Sequence, residues 1–362
     1  MKILYGVQGT GNGHIARSRA MCEALQRRQV DVDYLFSGRA ADKYFSMECF
    51  GEFKTRRGLT FATENGHVNY VKTLCNNSLW QFWQEVRTLD LSGYDLILND
   101  FEPVTAWAAK LHQLPCISIS HQNAFLYSVP LKGASWLDKQ ILRHFAPANH
   151  HLGLHWYHFD QPILPPIIYP SKISLSQQPF VLVYLPFENI HEICELLYRF
   201  THTRFICYHP DVQHHECSEN VELHCLQHGN FQYHLHQCQG VITSGGFELP
   251  SEALGLGKKL LIKPLHGQFE QVSNAATLET LGLANVMEFL DPTCVRRWLD
   301  EKQAERVSYP DVAESLVEWI LQGQWHDSTT LCQQLWQQVD FPSYTIFTDE
   351  LIHPMNPTLK QF

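Results

Sequence analysis

The chain has 362 residues, a formal net charge of −10, 44% hydrophobic and 18% charged residues. Such a length exceeds one ordinary core and suits two α/β units of about 150 to 180 residues, and the apolar content excludes a disordered chain. The acidic balance, with no basic stripe, excludes nucleic acid as the main partner, because neutralising phosphates needs clustered Lys and Arg.

The first residues, Met1 to Val7, read directly into an apolar strand and a Gly-rich loop, too short for the apolar core of a signal peptide. No run of about 18 apolar residues occurs, so no membrane span is expected. Eleven cysteines, an odd number without Cys-x-x-Cys spacing, read as reduced thiols. The expected location is the cytosol, with at most peripheral contact at the inner face of the membrane. The stretch 207–238 is rich in His and Cys: His214, His215, Cys217, His224, Cys225, His228, His234 and His236. Its spacings match no zinc module, so no metal is assigned there, and metal binding by this stretch stays open.

In chain order, short apolar runs alternate with amphipathic stretches, the pattern of a parallel sheet covered by helices on both faces. Strands are predicted at Ile3 to Val7, Val32 to Phe36, Leu96 to Leu98 and Cys116 to Ile119. Ile15 to Arg28 forms a helix between the first two, with Ile15, Met21, Cys22 and Leu25 on one face. Aromatic spacing in Leu79 to Trp83 favours a core helix over an acceptor- or lipid-facing patch. Gln161 to Pro170 carries four prolines and reads as an extended connector. Beyond it the alternation restarts, with strands at Val181 to Leu185, Arg204 to Tyr208, Val241 to Thr243 and Lys259 to Ile262, and a helix over Ile190 to Phe200. The predicted organisation is an N-terminal Rossmann-like unit over 1–160, a linker over 161–172, a second Rossmann-like unit over 173–328, and a C-terminal helix and tail over 329–362 that packs back toward the first unit.

Three segments carry chemistry. Gly9-Thr10-Gly11-Asn12-Gly13-His14 joins the first strand to the first helix, where glycines allow a sharp turn and the helix N-terminus favours anions. His14 stands where a dinucleotide fingerprint places its third glycine. An imidazole there is placed to act as a base, and the alternative is a histidine with no role near a helix cap. Asp100 and Glu102 close the strand at Leu96 to Leu98, at the same sheet edge. Asp100 is the first choice to orient His14, against the alternative that Asp100 or Glu102 caps the helix starting at Pro103. The third segment is Ser244-Gly245-Gly246-Phe247, followed by Ser251-Glu252-Ala253, and after the next strand Glu270-Gln271. A strand, a Gly-Gly turn and a helix start offer amides from Ser244 to Phe247 to a diphosphate, and Glu252 has the reach for two ribose hydroxyls.

This order, S-G-G-x-x-x-x-S-E-A-x-x-x-G, a strand ending in Pro, then E-Q-x-x-N-A, resembles the donor-binding signature of GT-B glycosyltransferases. It is similar both to the UDP-sugar glucosyl and glucuronosyl transferases and to the N-acetylglucosaminyltransferase of peptidoglycan synthesis. The opening G-x-G-x-G-H-x-x-R is similar to a prokaryotic branch of that superfamily. The resemblance implies two Rossmann-like domains facing a cleft and transfer of a sugar from a nucleotide sugar, UDP-linked on this reading, to an acceptor such as a lipid-linked or cell-envelope glycan. The implied reaction needs no metal and no cofactor beyond the donor substrate, and it inverts the anomeric centre. The implied roles are His14 with Asp100 or Glu102 in catalysis and Ser244, Gly245, Gly246 and Phe247 at the donor phosphates. Glu252 is implied at the ribose, Glu270 with Gln271 at the donor sugar, and Gly11, Asn12, Gly13 and Arg17 on the acceptor side. Arg17, like Arg19, reads from its helix position as a solvated residue. This sequence has Ser244 where plant-type enzymes carry a histidine, and no tryptophan matches their base-stacking residue near Leu226 to Gly229. A nucleotide-sugar 2-epimerase and a non-catalytic nucleotide-sugar binder remain the alternatives.

Overall fold

In the computed structural model the described residues are 1–44, 46–59, 63–64, 67–68, 78–171 and 173–346. The expected tail beyond 346 and position 172 of the linker lie outside them. The first sheet comprises β1 (Lys2–Gln8), β2 (Asp31–Ser37), β3 (Phe53–Arg56), β4 (Leu96–Asp100), β5 (Cys116–Ser120) and β6 (His150–Gly153). Their spatial order is β3-β2-β1-β4-β5-β6, and every pairing is parallel. β1, β4 and β5 are buried almost throughout, as central strands covered on both faces must be. Helices α1 (Asn12–Arg27), α2 (Leu79–Thr88), α3 (Pro103–His112) and α4 (Trp136–His144) belong to this half.

The second sheet comprises β7 (Phe180–Tyr184), β8 (Arg204–Tyr208), β9 (Glu216–Ser218), β10 (Val221–His224), β11 (Gly240–Ser244), β12 (Lys259–Lys263) and β13 (Asn285–Val286). Its order is β9-β10-β8-β7-β11-β12-β13. Omitting β9, which pairs antiparallel at the edge, the six remaining strands repeat the topology of the first sheet. The helices here are α5 (Ile190–Leu197), α6 (His228–Gln237), α7 (Glu248–Gly255), α8 (Phe269–Thr280) and α9 (Pro292–Asp300).

The strands that the sequence did not announce are all peripheral. β3 and β6 lie at the edges of the first sheet and β9, β10 and β13 toward those of the second, where half-exposed sequences such as Phe53-Lys54-Thr55-Arg56 lack an apolar run. The proline-rich connector is extended and docked, with Ile163, Leu164 and Ile167 buried. The chain returns to the first half before residue 329. Helix α10 (Val312–Gln322) meets α1 through Arg27 with Asp311 and Arg28 with Glu314. Helix α11 (Thr329–Trp336) follows, and Trp336 Nε1 donates to Ile163 O at 2.7 Å. Of the aromatic stretch on α2, only Phe82 enters the core, while Trp80 is 76% exposed. No helix among the described residues is long and apolar enough to cross a membrane.

Gly6 fixes how α3 lies on β1. A Cβ at this position would fall 2.0 Å from Thr105 Oγ1 and 2.8 Å from Thr105 Cβ, and that hydroxyl is itself bonded to Glu102 and Asn99. Gly6→Ala should therefore destabilise the fold by about 1–3 kcal/mol in chemical denaturation. Gly93→Ala, where a Cβ meets nothing within 4 Å, should be close to neutral.

Candidate active site

Both sheets reverse their strand order beside their first strand, and in open α/β sheets ligands bind at that switch point, outside the carboxyl ends of the strands. In the first sheet this places the loop after β1, with His14, beside the end of β4, with Asp100. In the second it places Ser244 to Phe247, after β11, beside the loop after β7. Contacts across the two halves bring these edges together. At Gly13, in the first turn of α1, a Cβ would lie 3.3 Å from Glu248 Cβ.

A buried charge cluster occupies the junction. His14 Nδ1 lies 2.8 Å from Asp100 Oδ1. Arg17, one helical turn after His14, grips Asp100 with two bonds, Nε to Oδ2 at 3.0 Å and the second amino group to Oδ1 at 2.7 Å. Its other amino group donates to Glu248 Oε2, in the opposite half, at 2.8 Å. Arg17 is 3% exposed and Asp100 fully buried, so the solvated reading of Arg17 is corrected: this face of α1 turns into the junction. Burial opposes ionisation of Asp100, but Arg17 and then His14 outweigh it and hold the carboxyl below its ordinary value. Arg17 also approaches His14 Nδ1, at 3.1 Å. A carboxylate 2.8 Å from an unprotonated nitrogen would set lone pair against lone pair, so the network assigns the proton to Nδ1 and leaves Nε2 with its lone pair.

Glu102, expected as a second catalytic acid, goes to the helix instead. It is fully buried and caps α3, its Oε1 accepting from Val104 N at 2.8 Å and its Oε2 from Thr105 N at 2.6 Å, while Ser37 Oγ donates to Oε1. The separation of the two acids comes from Phe101, held at φ 52°. This left-handed turn sends Asp100 toward His14 and Glu102 toward the helix N-terminus.

On the donor side, Ser244 ends β11 and Phe247 precedes α7. The Gly245 amide is occupied, donating to Gln271 Oε1 at 3.1 Å. The amides of Gly246 and Phe247 have no backbone acceptor among the described residues and stand at the start of α7. The Phe247 ring is buried, stacked on His121 at 4.0 Å with an 8° tilt. Gln271 is not free to bind a sugar: it is 5% exposed, and its Oε1 also accepts from Leu265 N at 2.9 Å. Neighbouring helical residues point about 100° apart, so Gln271 turns to the sheet while Glu270 turns to the first half, where Gln122 Nε2 lies 3.2 Å from each carboxylate oxygen. Glu252 is half-buried, with Oε2 accepting from Gln232 Nε2 of α6 at 2.8 Å; burial raises its carboxyl against that bond. A cavity of about 440 Å³ lies behind Glu252, lined by Gln232, His236, Arg306 and Tyr309 and by the connector at Ile168–Tyr169. Its lining includes neither His14 nor the Ser244–Phe247 loop, so it lies apart from the charge cluster. On the acceptor side, Gly11 caps α1 and Asn12 Oδ1 accepts from Arg39 at 3.2 Å.

Three features went unread in the sequence. Glu248 stands two residues after the glycine pair, and an acid among amides suited to an anion signals a missing cation, here Arg17 from 231 positions away. His121 bridges the halves, with Nε2 2.8 Å from Asn274 Oδ1, and Asn274 holds Gly245 O. Lys263, ending β12, donates to Glu188, in the loop after β7, at 2.5 Å. The last two carried no local signal.

Two doubly wound domains meeting at their switch points form the GT-B architecture. The family model for glycosyl transferase family 1 matches residues 1–301, and the chain belongs to that family. No curated protein sequence matches it. Among solved structures, the glycotransferase of kitacinnamycin is similar at 16% identity and a TM-score of 0.59, covering 94% of this chain and 99% of that one. The spinosyn rhamnosyltransferase SpnG, complexed with spinosyn aglycone, is similar at 14% identity and a TM-score of 0.55, covering 93% and 97%. The glycosyltransferase VinC, in complex with dTDP, is similar at 14% and 0.51, covering 93% and 99%.

Burial pushes the Glu248 carboxyl up to about 8, with Arg17 pulling the other way. Between its ordinary value of 4.5 and about 8, the folded chain keeps a proton that the unfolded chain has lost, so this group makes stability fall as pH rises through that window. Glu248→Gln should lessen the fall in unfolding free energy between pH 5.5 and 8.5, by up to ~1.4 kcal/mol per pH unit. Equal pH dependence in both proteins would assign Glu248 an ordinary carboxylate.

Proposed function

We propose that this glycosyltransferase takes its sugar from a UDP-sugar or a closely related nucleoside-diphosphate sugar and passes it to an acceptor hydroxyl held by the N-terminal domain. The observation that carries this reading is the His14–Asp100 pair at 2.8 Å, tied by Arg17 to Glu248 at the head of the helix that follows the glycine pair. The mechanism is a direct displacement. His14 Nε2 takes the acceptor proton as the hydroxyl oxygen attacks the anomeric carbon, the bond from that carbon to the diphosphate breaks, and the nucleoside diphosphate leaves with the electron pair. The configuration at the anomeric carbon inverts.

Asp100 orients the imidazole and stabilises its protonated form, as the acid does in a hydrolase triad. Its charge is shared with Arg17, so orientation is its larger part. Fixed amides at Gly246 and Phe247 are suited to the departing diphosphate, each such donor being worth about 3 kcal/mol at a developing anion, and no metal is required for the leaving group. Glu270 faces the N-terminal domain and is the acid suited to donor-sugar hydroxyls. Glu252 is suited to the ribose, with Gln232 holding one of its oxygens.

Nucleotide binding is tested by thermal shift with UDP, dTDP and their sugars, since a binder at 100 times its dissociation constant adds about 2.7 kcal/mol. Glu252→Ala should weaken the binder by at least ~1.5 kcal/mol, about tenfold; unchanged affinity in a folded variant moves the ribose elsewhere. His14→Ala should leave donor affinity nearly intact while cutting turnover by about 10² to 10⁴. Near-normal turnover in that variant would remove His14 from the mechanism.

A further inference from the structure

The β9–β10 hairpin at the outer edge of the second sheet gathers metal-binding side chains on one face. Its antiparallel register sets Cys217 opposite Glu222 and Glu216 opposite Leu223, so the next opposed pair is His215 with His224. Directly opposed residues share a face, as do residues two apart on one strand. His215, Cys217, Glu222 and His224 therefore form a two-by-two patch, a relation hidden in the linear spacing because it depends on where the chain turns.

The side chains follow that register. The His215 and His224 rings lie 4.4 Å apart, centroid to centroid. One ligand atom each from His215, Glu222 and His224 falls within 4.8 Å of the others. His224 Nε2 is buried with no hydrogen-bond partner, and Glu222 Oε2 lies 3.8 Å from it. An ordinary surface ion pair with two tilted imidazoles leaves that nitrogen unexplained, because buried polar atoms are rarely left unpaired. Glu222 Oε1 accepts from Arg204 Nε, the kind of outer contact that orients a ligating carboxylate.

We propose that His215, Glu222 and His224 bind a divalent cation of the zinc class. Two imidazoles and a carboxylate suit zinc, at bond lengths of about 2.0–2.2 Å. Tetrahedral ligands at that radius stand about 3.4 Å apart, so binding draws the trio inward by roughly an ångström. His215 is exposed. The role is structural: from His224 the chain passes through Cys225–Gln227 into α6, whose Gln232 holds Glu252. A cation here pins the start of α6 and with it one wall beside Glu252.

The test uses the full chain, stripped with a chelator and titrated with Co²⁺ by visible absorption and with Zn²⁺ by calorimetry. One equivalent should bind, with the intense visible bands of tetrahedral cobalt. His215→Ala and Glu222→Gln, both changes on the surface hairpin, should each weaken binding by about 100-fold or more, since even outer partners of metal ligands are worth 10- to 100-fold. His214→Ala, one position outside the trio, should leave it unchanged. Absence of tetrahedral cobalt bands at one equivalent, or zinc affinity that survives both substitutions in folded protein, overturns the proposal.

Discussion

The Arg17 guanidinium is the interaction on which the cleft depends. It is buried with two carboxylates, Asp100 in its own domain and Glu248 in the other, and a planar fork of donors is what allows one side chain to satisfy both. One cation between two acids leaves the cluster a unit negative when both are ionised and His14 is neutral. The cluster relieves this by letting Glu248 keep a proton up to about pH 8. The His14–Asp100 pair and the interdomain contact therefore draw on one local charge balance, in surroundings where an uncompensated charge is costly.

Around that cluster the two domains are joined by specific polar contacts as well as apolar packing. His121 reaches Asn274, Trp156 Nε1 donates to Ser251 Oγ at 2.8 Å, and Gln122 meets Glu270. Phe247 packs against both His121 and Trp156. Because Phe247, Ser251 and Asn274 flank or support the Gly245–Gly246 turn, the N-terminal domain helps to set the position of the amides at the start of α7. Burial disfavours the protonated form of His121, which suits a residue stacked on an aromatic ring and bonded at both nitrogens.

Domain repetition was legible in the sequence, and so were the central strands, because strands buried on both faces need continuous apolar runs. The two glycine-bearing loops were legible as well, since a sharp turn into a helix demands small residues. The polar edge strands were not, because their pairing partners, rather than their composition, make them strands. The sequence placed His14, Asp100 and the Ser244–Phe247 turn at strand ends beside the switch points, and the structure brings His14 to 2.8 Å from Asp100, because strand ends at a switch point converge.

What the sequence by itself determined is where chemistry-bearing residues stand along each β-loop-α unit, for that follows from local turn geometry. The tertiary structure alone decided what each carboxylate and amide does there. Glu102 and Asp100 stand two residues apart, yet one caps a helix and the other holds a histidine, because the backbone at Phe101 turns left-handed. Glu270 and Gln271 are adjacent, yet one faces the other domain and the other ties two loops, because a helix rotates each step by about 100°. Arg17 and Glu248 are separated by 231 positions, and only the packing of one domain on the other takes both from water and makes them partners.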